Sequence, residues 1–220
     1  MAQVKFAVIL SGCGVYDGAE IHEAVLSLLA IDRAGASYRC FAPDVAQMHV
    51  VNHLTGQPGD ESRNVLVEAA RIARGAIAPL DALDVAEFDA LLLPGGFGAA
   101  KNLCSFAVAG PDCAVEPQVE RVIRAAHAAG KPIGALCIAP ALIARILGRV
   151  TVTIGSDAGT AQAIEAMGAS HTVAGHGQTV VDVANKVVSS PCYMLDATIS
   201  QIADGAAAVV ADILVLLGRR

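Results

Sequence analysis

The chain has 220 residues, 55% of them hydrophobic and 4% aromatic, with no tryptophan and a formal net charge of −6. One domain spanning 1–220 can bury a core of Ala, Val, Leu and Ile at that length. An acidic balance without any Lys/Arg cluster excludes nucleic acid and an acidic membrane surface as partners. No apolar run approaches the roughly 18 residues of a membrane helix, and residues 6–10 are too short for a signal-peptide core, so a soluble enzyme that stays in the cytoplasm is expected.

Residues 6–10 are a continuous apolar strand that ends in Ser-Gly-Cys-Gly-Val-Tyr-Asp-Gly ahead of a helix over 19–33, closed by Gly35. Strand, glycine loop and helix open a βαβ unit. The glycines approach a dinucleotide fingerprint, but Asp17 stands where its third Gly belongs, which favours a tight turn at a sheet's carboxyl edge. Residues 37–42 form the second strand. Residues 44–63 carry no clear period and contain Asn52, His53, Gly56, Pro58 and Gly59, a long loop read as a lid or a subunit contact. A helix over 65–74, an extended piece at 76–79, a partly helical link and a buried strand at 88–93 follow.

That strand runs into Pro94-Gly95-Gly96-Phe97-Gly98. Bare N–H groups at such a loop can face a developing oxyanion or simply close a turn, and both readings stand. A helix over 115–129, stopped by Gly130, leads to Lys-Pro-Ile-Gly-Ala-Leu-Cys-Ile-Ala-Pro at 131–140. Residues 132–136 suit a buried strand and residues from 139 a helix, so Cys137 falls on the join with Ala135 and Ala139 on either side. This is the pattern of a nucleophile elbow, in which small neighbours avoid a clash around a strained residue. The following helix aims free N–H groups and its positive end at the sulfur, which favours thiolate.

Residues 151–155 alternate like a strand, residues 160–167 form a helix stopped by Gly168, and 179–183 with 186–190 read as a hairpin. The last helix runs from about 195 to 217. Alternating strands and helices predict a three-layer α/β/α sandwich with a mostly parallel, flavodoxin-like sheet. Cys13, Cys40, Cys104, Cys113, Cys137 and Cys192 contain no C-x-x-C, which predicts free thiols and no metal.

A cysteine nucleophile needs a proton carrier. Glu20 and Glu23 lie at the start of the first helix, on the same sheet edge as Cys137, and their spacing does not decide between them. No histidine is adjacent to Cys137 in sequence; His22 lies on the first helix, and His171, at a strand start after Gly168, is the best placed of them.

The elbow, the Pro-Gly-Gly loop and the acidic first helix together resemble the ThiJ/PfpI superfamily of class I glutamine amidotransferase-like proteins. The runs Ser-Gly-Cys-Gly-Val-Tyr-Asp-Gly-Ala-Glu-Ile-His-Glu, Asn-His-Leu-Thr-Gly, Glu-Ser-Arg-Asn-Val-Leu, Pro-Gly-Gly-Phe-Gly-Ala-Ala-Lys-Asn-Leu and Leu-Cys-Ile-Ala-Pro-Ala resemble its ElbB branch. The resemblance implies a Glu on the first helix touching the elbow Cys, and counting back from Arg33-Ala34-Gly35 puts it at Glu23, with Glu20 one turn earlier. It implies a glyoxalase that converts glyoxal to glycolate without cofactor, in a homodimer. Cys137 would be the nucleophile, Glu23 the acid/base with His171 the alternative that the residues themselves offer, the N–H groups of Gly96 and Ile138 the oxyanion site, and Gly95, Glu20 and Asn102 further substrate contacts. Ile138 and Ile154 stand where relatives with a triad carry His, and Pro191-Cys192-Tyr193-Met194-Leu195 replaces the glutaminase His-x-Glu, which argues against glutamine hydrolysis. The alternatives are a redox or carbonyl-stress sensor, a chaperone-like protein, or deglycase-like repair.

Overall fold

In the computed structural model, which describes residues 3–219, the apolar runs line up in one seven-stranded sheet. Its strands are β1 (Lys5–Ile9), β2 (Ser37–Ala42), β3 (Ile77–Pro79), β4 (Ala90–Leu93), β5 (Ile133–Leu136), β6 (Val180–Asp182) and β7 (Val187–Ser190). The order is β6-β7-β5-β4-β1-β2-β3, and every pairing is parallel except the edge hairpin β6–β7. The major helices are α1 (Ile21–Arg33), α2 (Val65–Ile72), α3 (Pro117–Ala128), α4 (Ala139–Leu147), α5 (Ala158–Ala166) and α6 (Ile199–Leu216).

Every residue of β4 and β5 is buried, as parallel strands covered on both faces require. Alternate side chains therefore feed two cores. Ile9, Leu91, Leu93 and Ile133 pack with Val122 and Ile123 of α3 and with Leu142 and Ile143 of α4. Phe6, Val8, Leu92 and Leu136 pack on the other face with α1, α2 and α6. This is the predicted α/β/α sandwich. Gly134 sets how closely α6 approaches, because a Cβ there would lie 2.8 Å from Val209 and Ile213. The chain builds β1, β2 and β3 outward in one direction, then returns to β4 beside β1 and builds the other way. Loops leaving β1 and β4 diverge and open a crevice at the carboxyl ends of the strands.

Several expectations change. The first helix starts at Ile21 because the Glu20 carboxylate caps it, accepting from the Glu23 N–H at 2.7 Å. Residues 44–63 contain a short hairpin, Val51–Asn52 against Gln57–Pro58, pinned to the first glycine loop. Asp17 accepts from the Val51 N–H at 2.7 Å and His53 from the Tyr16 N–H at 3.2 Å. The predicted strand at 151–155 shrinks to Thr151–Val152, which pairs with Ser170–His171 outside the main sheet. Side chains take the N–H groups a longer ladder would use: Asp182 accepts from Thr151 at 2.8 Å and Ser189 Oγ from Thr153 at 2.9 Å.

Helix α6 begins later than predicted, at a capping box of Thr198 and Gln201. It also overturns the expectation that no segment matches a membrane helix, since its 18 residues average a hydropathy of 1.7. Asp204 and Asp212 interrupt the run in sequence and hide its length. Ile202, Ala206, Val209, Val210 and Ile213 are buried, and the helix packs on β5, β7 and α1, as a core helix of a sandwich does.

Candidate active site

Cys137 stands between β5 and α4 with φ +59°, a left-handed conformation that a side chain adopts only under constraint. The Cys137 N–H donates to the Ser190 carbonyl at 2.9 Å, which continues the β5–β7 register for one residue beyond Leu136 and holds the turn. Ala135 and Ala139 are fully buried beside it, and Pro140 occupies the first turn of α4, where its missing N–H costs nothing.

Glu23, in the first turn of α1, reaches the sulfur. It is fully buried; one carboxylate oxygen accepts from the Gly95 N–H at 2.9 Å, the other from the Tyr193 N–H at 3.2 Å, and the carboxyl shares a hydrogen bond with the Cys137 thiol. Burial, reinforced by the negative charge of Glu20, pushes the carboxyl up to about 7, although the two N–H donors and the thiol partly offset this. The thiol of Cys137 is pushed well above its ordinary value, first by burial and then by the charge of Glu23, while the Gly96 N–H works against the shift. The expectation of a helix-stabilised thiolate is thus corrected: desolvation and an adjacent carboxylate outweigh the end of α4. In its resting form the sulfur keeps its proton and offers it to Glu23, and attack on an electrophile requires that transfer.

Around this pair the structure gathers Glu20, Gly95, Gly96 and Ile138. Glu20 lies on the wall of the crevice while capping α1. The Gly95 N–H is spent on Glu23, so it is not free to make the expected substrate contact. What Gly95 contributes is space, because a Cβ there would lie 2.4 Å from Cys137 Cβ and 2.7 Å from Glu23 Oε2. Gly96 combines φ +92° with its N–H facing the sulfur, and a Cβ there would lie 2.4 Å from the Glu20 nitrogen. Ile138 is the N-cap of α4, where backbone N–H groups lack helical partners.

Two expected site residues stand elsewhere. Asn102 is a strut: its amide donates to the carbonyls of Ser11 at 2.9 Å and Asp17 at 2.8 Å and accepts from the Met48 N–H at 3.0 Å, which leaves nothing for a substrate. His171 lies in the small two-stranded ladder, accepts from the Ile154 N–H at 3.3 Å, and is held below its ordinary value by burial. It is not on the crevice wall. Nor does Cys13 line the crevice; the charges that act on it are those of Glu68, Arg71 and Asp17. The thiol beside the elbow is Cys192, buried in the turn after β7 with φ +44°, its sulfur facing the Cys137 N–H.

The crevice is a cavity of about 470 Å³. Val15, Phe97, Phe106, Ile138 and Met194 supply its apolar wall, and Glu20, Asp157, Thr160 and Tyr193 its polar groups. The Tyr193 hydroxyl is held by His22 Nδ1 at 2.8 Å. Residues 191–195 thus shape the site, although their sequence shows only the absence of a glutaminase His-x-Glu. The signal was their position, directly after the last strand of the sheet. Among the described residues no three His, Cys, Asp or Glu side chains converge to hold a metal ion.

No protein-family model matches the sequence. Curated relatives do. Glutamine amidotransferase-like class 1 domain-containing protein 3, mitochondrial, of Homo sapiens is 52% identical over 98% of this chain and 84% of its own length. ES1 protein, mitochondrial, of Danio rerio is 38% identical over 86% of this chain and 77% of its own length. Among solved structures, an isoprenoid biosynthesis protein with amidotransferase-like domain from Ehrlichia chaffeensis superposes with a TM-score of 0.92 at 38% identity, over 97% of this chain and 99% of that one. Glyoxalase III from Candida albicans shares the fold, with a TM-score of 0.61 at 14% identity over 95% and 97% of the two chains. The cytoplasmic location expected from the sequence is overturned by the human, rat and zebrafish relatives, which are all named mitochondrial. At these identities and coverages, the chain belongs to the glutamine amidotransferase-like class 1 domain family, with the DJ-1/ThiJ/PfpI fold.

Proposed function

We propose that the protein is a glyoxalase of the ElbB type that converts glyoxal to glycolate with its own thiol and carboxyl. The observation that carries this reading is the buried Glu23 carboxyl, raised to about 7 and hydrogen-bonded to the Cys137 thiol, with no imidazole on the crevice wall among the described residues. Cys137 adds to one aldehyde while Glu23 takes the thiol proton, and the resulting oxyanion lies by the N–H groups of Gly96 and Ile138. Glu23 gives that proton to the oxygen, forming a hemithioacetal. It then removes the hydrogen from the former aldehyde carbon and returns it to the neighbouring carbon through an enediol, leaving a glycolyl thioester. Water cleaves the thioester to glycolate and the free thiol. Glyoxal and water are consumed, glycolate and a proton are formed, and nothing is oxidised overall.

The test is product identification. Purified protein incubated with glyoxal should release glycolate at the same rate after chelator treatment, and Cys137→Ser should release almost none. Full turnover by Cys137→Ser would end the mechanism. The second reading, a redox sensor, is favoured by one observation, the buried Cys192 thiol beside Cys137. A sensor would be consumed once per molecule, whereas an enzyme releases many equivalents of product. Self-association as a homodimer belongs to the proposal, supported by the exposed stripe Ile21, Val25 and Leu29 along α1. Sedimentation at micromolar concentration should give twice the chain mass, and a monomer would remove this part.

A further inference from the structure

The cavity above Cys137 is far larger than a two-carbon dialdehyde, whose bulk is about that of three water molecules, about 90 Å³. Its volume of about 470 Å³ falls within the range of sites that enclose whole small molecules. The surplus space is walled by Val15, Phe97, Phe106, Ile138 and Met194. Burying apolar area against such a wall is favourable, and a substrate without an apolar body leaves that binding energy unused.

Charge on the wall is one-sided. Among the described residues, Glu20 and Asp157 line the cavity and no Lys, Arg or His does. Hydrogen bonds from the Thr160 N–H and side chain hold Asp157 below the ordinary carboxylate range, so it stays ionised. The ammonium of Lys101 rests on the Phe97 ring, 5.0 Å from its centroid, and donates to the Tyr16 carbonyl at 2.9 Å, outside the wall. A cleft of one sign with apolar walls concentrates ligands of the opposite sign and repels those of the same sign.

We infer that the substrate at Cys137 is an aldehyde or dicarbonyl with an apolar body and a neutral or positively charged far end, and that carbonyl compounds bearing a carboxylate or phosphate are rejected. Asp157, on the cavity wall at the N-cap of α5, is the specificity residue. This deepens the glyoxalase reading but rests on it only through Cys137 as the attacking atom, so one arm of the test uses electrophiles that need no turnover.

In the first arm, intact-mass kinetics follow alkylation of Cys137 by iodoacetamide, N-benzyl iodoacetamide, iodoacetate and a trimethylammonioethyl iodoacetamide, each rate divided by that with a small free thiol. The benzyl reagent should exceed iodoacetamide at least tenfold, and the cationic reagent should exceed iodoacetate at least tenfold. Because Glu23 also repels iodoacetate, the deciding variant is Asp157→Asn, which retains the helix cap and should shrink the cationic-to-anionic ratio at least threefold. In the second arm, kcat/KM is compared for glyoxal, phenylglyoxal, and phenylglyoxals with a para carboxylate or a para trimethylammoniomethyl group.

Equal normalised rates for iodoacetate and the cationic reagent would overturn the inference. So would an unchanged ratio in Asp157→Asn, or turnover of glyoxal with none of phenylglyoxal. If the alkylation order holds while no dicarbonyl gives a hydroxy acid, the substrate class stands and the glyoxalase chemistry falls.

Discussion

Replacing Glu23 by Gln tests the proton carrier through stability and rate at once. The carboxyl rises from its ordinary 4.5 to about 7 on folding. At about 1.4 kcal/mol per unit, ionising it in the folded protein costs about 3 kcal/mol more than in the unfolded chain. The sign follows from proton counts. Between pH 4.5 and 7 the folded state holds a proton that the unfolded state has released, so stability falls as pH rises and the deficit is complete above 7. Glutamine does not titrate and removes that slope. It also turns an amide N–H₂ toward the Gly95 or Tyr193 N–H, a pH-independent loss of about 1–3 kcal/mol. Urea unfolding of both proteins at pH 4.5 and 8 should therefore show the stability of Glu23→Gln rising by about 3 kcal/mol relative to the parent, an m-dependent shift of about 1 M in midpoint. The parent's glycolate release should rise with pH through an ionisation near 7, because Glu23 must be ionised to take the thiol proton. Glu23→Gln should lose about a hundredfold or more in turnover yet still be alkylated at Cys137 at alkaline pH, where solvent base takes the thiol proton that Glu23 no longer can. A flat stability difference between the two pH values would refute the raised carboxyl. Full turnover in Glu23→Gln would refute its role.

Gly95→Ala drives a methyl to 2.4 Å from Cys137 Cβ and 2.7 Å from Glu23 Oε2. Carbon atoms pack at about 3.5–4 Å, so the pair must separate by about 1 Å and glycolate release should fall about a hundredfold; a fully active variant would contradict the described approach. Asn102→Ala removes three hydrogen bonds that tie the first glycine loop to residue 48 and should cost about 3 kcal/mol in urea unfolding. His171→Ala should keep turnover within twofold while losing about 1 kcal/mol of stability, and a dead but folded variant would return the proton transfer to an imidazole. Cys13→Ser should leave glycolate release unchanged, since Cys13 does not line the crevice around Cys137.

Local chemistry made much of the protein legible from its sequence. Short apolar runs such as Leu91 to Leu93, closed by Pro94-Gly95-Gly96, read as buried strands, and Cys137 between Ala135 and Ala139, followed by Pro140, marks a strained strand-to-helix turn. The residues alone left Glu20 and Glu23 open; the choice of Glu23 is what the family resemblance implies, counted back from Gly35, and the structure sets that carboxyl against Cys137. What tertiary structure alone decided is the set of quantities that depend on burial and on loops meeting across the sheet. The thiol's proton is fixed by how deeply Cys137 and Glu23 are enclosed together, and helix position in the sequence carries no measure of that depth. The resemblance implies substrate contacts at Gly95 and Asn102; which hydrogen bonds are already spent is settled only when Glu23, Ser11 and Asp17 arrive from elsewhere in the chain. The same holds for Cys192 and Tyr193, 55 and 56 residues beyond the elbow, which reach it because β7 pairs with β5 and sets the turn after Ser190 beside Cys137.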